Sequence, residues 1–121
     1  MADISETLRL DLRNPEFSEG YAESFLDTFV ATQIKVLREQ LGLTQAQLAE
    51  KLGTKQTVVS RIESAGYAAW NIGTLKKLAR VFRVRLHVSF ETYGSLIGEM
   101  ERFSRQTLER SPREKDPALL R

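Results

Sequence analysis

The stretch Leu41 to Glu63, LGLTQAQLAEKLGTKQTVVSRIE, leaves the chain few ways to fold. Gly42 and Gly53 punctuate it, and the space between them fits one short helix, with a second following. Thr44 is placed to cap the first of the two, and Gln47 three residues later completes a capping box. Ala46, Leu48, Ala49 and Leu52 give that helix an apolar surface. Thr54 is the expected cap of the second, which then runs from Lys55 to about Glu63. At 100° per residue, Val59 and Ile62 point one way while Gln56, Thr57, Ser60 and Arg61 point the other. Val58 lies between the two faces, able to pack or to meet an apolar group outside.

The flanks supply what this pair packs against. Asn14-Pro15 is a strong helix start, because Asn caps and Pro at the first helical position gives up an N–H that has no partner there. From Pro15 a helix is expected to run toward Leu41, most easily interrupted at Gly20. Its stripe is Phe25, Leu26, Phe29, Val30, Ile34, Leu37 and Leu41. Before it, Leu8, Leu10 and Leu12 alternate with Arg9, Asp11 and Arg13. Period two predicts a half-buried strand, with a short helix ending before Asn14 as the rival. Downstream, Ser64 to Trp70 reads as a loop pinned by Tyr67 and Trp70. Asn71 then caps a helix through about Phe82, striped by Ile72, Leu75, Leu78, Ala79 and Phe82. At Val84 the period changes. Val84, Leu86, Val88 and Phe90 alternate with Arg85, His87, Ser89 and Glu91, a strand pattern. Tyr93-Gly94 reads as a turn and residues 95–110 as a helix. The tail from Ser111 is charged, holds two prolines, and is expected to be disordered.

Composition narrows the function. A chain of 121 residues with 41% hydrophobic content suffices for about one domain with a small core. There is no cysteine, so no disulfide framework and no Cys-ligated zinc, which fits a reducing cytoplasm. No apolar run approaches the roughly 20 residues that span a bilayer. The N-terminus carries acids where a signal peptide needs positive charge. A soluble, cytoplasmic protein with no membrane partner is expected. Charge is segregated: residues 1–30 hold two basic and seven acidic side chains, whereas residues 31–92 hold ten and four. The middle is the part suited to a polyanion.

Residue chemistry sharpens that idea. Gln makes bidentate bonds to adenine, Arg to guanine, and a Thr methyl touches the thymine methyl. Gln56, Thr57 and Arg61 are therefore candidate base-contacting residues of a helix laid in a major groove. Gln45 sits in the first turn of its helix, where free backbone N–H groups and the helix dipole favour a phosphate. Lys55, Asn71 and Lys76 are further candidates for the DNA backbone. The bland alternative is a solvated polar face on an ordinary helix pair.

The motif LREQLGLTQAQLAEKLGTKQTVVSRIE, followed at the right distance by TLKKLARVF, resembles the lambda-repressor-like helix-turn-helix family of the Cro and cI (xenobiotic-response-element) type. The resemblance covers residues 30–83. It implies five helices around one core, with the third reading DNA. By position it implies base contacts from Gln56, Thr57 and Arg61, a phosphate contact from Gln45, and a structural salt bridge between Arg38 and Glu63. A strand in place of the family's fifth helix resembles a subset of regulators and antitoxins in which an added segment builds the dimer.

The fold expected is thus mainly α: a helix-turn-helix core with a β-strand after its fourth helix. Residues 1–24 form an N-terminal extension, 25–83 the DNA-binding domain, 84–110 a dimerisation segment and 111–121 a tail. A lone strand is not stable in water, so Val84, Leu86, Val88 and Phe90 are expected at a dimer interface. They would pair with their own copy or with Thr7 to Arg13. Double-stranded DNA and a second copy of the chain are the expected partners, with a toxin protein as the alternative. His87 has no companion ligand for a metal. Ser60 and Ser64 lack a nucleophile setting. No catalysis, cofactor or metal is expected. Glu16, Glu19 and Glu23 read as a solvated acidic face.

Overall fold

The computed structural model describes residues 4–120. Among them the chain forms helices α1 (Ile4–Asp11), α2 (Pro15–Gln40), α3 (Gln45–Leu52), α4 (Gln56–Ile62), α5 (Ile72–Phe82), α6 (Ser95–Glu101) and α7 (Arg105–Leu108), then a 3-10 turn at Arg113–Lys115. No helix among the described residues is long and apolar enough to cross a membrane.

Everything is strung on α2, about 39 Å long at 1.5 Å per residue. Its start is built as the sequence predicts: Asn14 Oδ1 accepts from the Phe17 N–H at 3.0 Å, with Pro15 beside it. Gly20 does not interrupt it. It ends at Gly42, whose φ of 71° is the left-handed conformation that glycine adopts freely. Leu43 N–H then reaches back to the Arg38 carbonyl at 3.1 Å. The expected domain boundary at 24/25 falls inside this continuous helix.

The second half of α2 supplies Ile34 and Leu37 to the main core, with Leu48 and Ala49 of α3, Val59 and Ile62 of α4, and Leu78 and Phe82 of α5. Ile72 and Leu26, expected on apolar stripes, are exposed instead, and so is Ala46. Tyr67 and Trp70 pack against this core from the loop. Trp70 Nε1 donates to Asp27 Oδ1 at 3.1 Å, pinning the loop to α2.

The first half of α2 carries a second, smaller core. Leu8 and Leu12 bury against Leu96, with Tyr21, Ala22, Phe25, Ile97 and Met100 around them. The expected strand at 8–12 is therefore corrected to a helix. Leu8 and Leu12 are one turn apart and share a face, while Leu10 between them is 52% exposed. The Ser5 hydroxyl donates to the Glu101 carboxylate and ties α1 to α6. The helix expected across 95–110 is broken after Glu101. Phe103 turns into a ring cluster with Phe25 and Phe29, at centroid distances of 5.6 and 5.9 Å. Ser104 then caps α7.

Two further expectations change. Among the described residues there is no β-strand: 84–92 takes up no regular secondary structure, since a strand needs a second backbone and one chain offers none there. The tail, expected to be disordered, docks instead. Pro112 is buried, Arg113 N–H bonds the Arg83 carbonyl at 2.9 Å, and Glu114 Oε2 accepts from Arg83 Nε at 2.7 Å. Gln33 donates to the Leu108 carbonyl, and the Gln40 amide brackets the Arg110 backbone at 2.8 and 3.2 Å, so the returning segment covers α2.

Candidate nucleic-acid interface

The α3–α4 pair is held by chemistry local to it. The capping box is complete: Gln47 N–H bonds Thr44 Oγ1 at 3.1 Å, and Gln47 Oε1 accepts from the Thr44 N–H at 2.8 Å. Gly53 leaves α3 with φ 71°. The start of α4 differs from expectation. Its N-cap is Lys55, not Thr54, and no side chain caps it, so the helix begins at Gln56.

On α4 the two faces separate cleanly. Val59 and Ile62 are buried, and Val58 packs half-buried against the same core. Lys55, Gln56, Thr57, Ser60 and Arg61 are exposed. Burying one face of so short a helix forces the other outward, so the candidate base-contacting residues share one accessible surface.

Behind that surface lies a chain of side-chain bonds. Arg38 of α2 forks onto Glu63, Nε to Oε2 at 2.6 Å and Nη2 to Oε1 at 3.1 Å. Its remaining Nη1 donates to the Leu43 carbonyl at 2.7 Å. The pair is 10% and 3% exposed by side chain, which makes it a scaffold element rather than a surface pair. The hydrogen bond from Arg38 to the Glu63 carboxylate holds the guanidinium above its usual range, against the opposing effect of burial. Glu63 Oε1 also accepts from Gln45 Nε2 at 3.1 Å, and Gln45 Oε1 accepts from Gln56 Nε2 at 3.4 Å. The Gln45 side chain is thus engaged with Glu63 and Gln56 rather than standing free for a phosphate.

Asn71 is exposed, but its Oδ1 is occupied capping α5 through the Thr74 N–H at 2.8 Å. A side chain at Gly73 would come within 3.3 Å of that oxygen, so glycine keeps the cap open. Lys76 is exposed on α5. Lys77 lines a shallow basic groove of about 270 Å³ with Lys51, Leu52, Arg80 and Val81. No local pattern singles out Lys51 and Arg80, because they come from two helices that meet only in the fold. Among the described residues, Arg9, Arg38, Arg83 and Arg105 are ion-paired, whereas Lys55, Arg61 and Lys76 are not. Unpaired exposed cations beside hydrogen-bonding side chains suit a polyanion.

Residues 34–88 match the family model described as helix-turn-helix. The match runs from the second half of α2 through α5 into the segment that follows it and takes in a little under half of the chain. No curated protein and no solved structure matches the chain.

Proposed function

We propose that the chain is a sequence-specific repressor, a reading supported by the match of residues 34–88 to the helix-turn-helix family model, which speaks for a DNA-binding transcriptional regulator. It binds a two-fold symmetric operator as a homodimer, with α4 in the major groove. Gln56, Thr57 and Arg61 contact bases, and Lys55, Lys76, the backbone N–H of Gln45 at the start of α3 and the amide of Asn71 contact the DNA backbone. Residues 25–83 form the DNA-binding unit, and the dimer contact lies at the start of 84–110.

The observation that carries the reading is the division of α4: Val59 and Ile62 buried, with Gln56, Thr57 and Arg61 exposed together and Arg61 free of any ion pair among the described residues. A helix of this kind reads about one half-site, and two-fold dimers match half-sites about one helical turn apart. Dimerisation is supported by the segment after α5, where Val88 is 64% exposed and Phe90 wholly so.

Selection of bound sequences from random DNA tests all of this at once. The expected product is a palindrome. Arg61→Ala should then lose about 1–3 kcal/mol of discrimination at particular base pairs. An unchanged base preference in Arg61→Ala would exclude the docking.

A second reading adds a toxin-binding role, favoured by the exposed acidic face Glu16, Glu19 and Glu23 with Leu26 exposed on the same helix. Co-purification with a small basic protein encoded beside it, abolished by Glu19→Lys with DNA binding intact, would separate this role from the first.

A further inference from the structure

The segment after α5 has an internal polarity that determines how a second copy can meet it. Among the described residues, 85–91 make no backbone hydrogen bond and belong to no helix, which leaves their N–H and C=O groups able to template another strand. Its polar residues divide in two: Arg85 lies 3.5 Å from His87, and Ser89 bonds Glu91 at 3.2 Å. The first half is basic and the second acidic. A parallel partner would set like on like, whereas an antiparallel two-fold partner lays each half on its complement.

Register follows from three restrictions. Directly opposed residues of an antiparallel pair point to the same face, so the even-numbered positions that carry Leu86, Val88 and Phe90 must oppose even-numbered positions, and a slip of one residue is excluded. A dyad at His87 would place two histidines face to face and leave Arg85 opposite the partner's Ser89. A dyad at Leu86 would set Arg85 against the partner's His87, base on base. A dyad at Val88 sets Arg85 opposite the partner's Glu91 and Leu86 opposite the partner's Phe90, each twice by symmetry. The Val84 N–H is already bonded to the Ala79 carbonyl at 3.0 Å, so Val84 takes a site that exchanges no ladder bonds. By alternation Val88 does too, and such pairs bring Cα atoms to about 4.5 Å.

We propose that two copies of this chain pair antiparallel through residues 84–92 with the two-fold axis at Val88 and Arg85 facing the partner's Glu91. The inference rests on the homodimeric reading above and specifies its interface.

The absence of native cysteine makes the test direct. About 4.5 Å between Cα atoms lies within the disulfide range. Full-length Val88→Cys should oxidise to a covalent dimer, and His87→Cys should do so at least roughly tenfold more slowly, because it would face the partner's Ser89. Val88 is largely exposed, so the substitution leaves the cores untouched. Arg85→Glu should weaken the dimer roughly ten- to hundredfold in sedimentation equilibrium, and adding Glu91→Arg should restore it. A wild-type dimer in which His87→Cys links as fast as Val88→Cys, or in which Glu91→Arg rescues nothing, overturns the register alone. A wild-type chain that is monomeric at micromolar concentration overturns the homodimer as well.

Discussion

Replacing Glu63 by alanine tests how the fold holds α4. Glu63 lies at the C-terminal end of α4, where the helix dipole disfavours a carboxylate. Its presence there is explained by Arg38, not by local preference. The substitution removes two of the three hydrogen bonds made by the guanidinium and leaves a permanent charge, 10% exposed, with only the Leu43 carbonyl. It also frees the Gln45 amide. Stripping one partner from a buried ion pair costs about 3–5 kcal/mol. That is a large share of the roughly 5–15 kcal/mol that stabilises a domain.

Urea unfolding should show a lowered midpoint with an unchanged slope. Replacing both partners, Arg38→Met with Glu63→Leu, removes the stranded charge and should recover most of the loss. The double-mutant cycle should then return a coupling of about 2 kcal/mol or more. A cost for Glu63→Ala below about 1 kcal/mol, the worth of an exposed pair, would refute the reasoning. Additive single costs in the double variant would refute it equally.

Two other outcomes are expected. Gly20 sits exposed inside α2 with nothing within 4 Å of a Cβ, so Gly20→Ala should stabilise by about 0.8–1 kcal/mol and raise Tm by roughly 3–6 °C; a calorimetric loss of stability would contradict the helix there. Acid should loosen the C-terminal segment first. The hydrogen bond from Arg105 holds the Glu39 carboxyl below the usual range, and that from Arg83 does the same for Glu114. Both favour the ionised folded form, so their contribution is full above the unfolded value of about 4.3 and is lost as pH falls through the lowered folded values. Hydrogen exchange at the Arg113 amide should lose protection between about pH 5 and pH 3, ahead of Leu48. Equal protection loss at the two amides would rule this out.

Punctuation chemistry made much of the fold legible in advance. Asn14-Pro15, Gly42, the Thr44–Gln47 box, Gly53 and Asn71 act within a few residues of themselves, so their neighbours in sequence suffice to read them. The faces of α4 were legible for the same reason. Leu8, Leu10 and Leu12 were not, because three alternating leucines satisfy a strand at every position and a helix at two. What decides between them is Leu96, far down the chain. Val36 and Ala31 are buried outside the stripe read on α2. That helix is enclosed on more than one side, and its second cover, the segment through Leu108 and Arg110, has no local signature. The bond from Gln45 to Glu63 was equally invisible, since it depends on how α3 and α4 cross.

The continuity of α2 has a thermodynamic consequence. One helix lends its first half to the small core and its second half to the large one. Neither core can melt without fraying backbone that the other needs, so the two should unfold as one cooperative unit with a single calorimetric transition. A cut near residue 24 would then not remove a dispensable arm but would lower the melting point of the half that carries α3 and α4. By mass action, anything that grips the N-terminal half of α2 in its folded form would add to the stability of the far end.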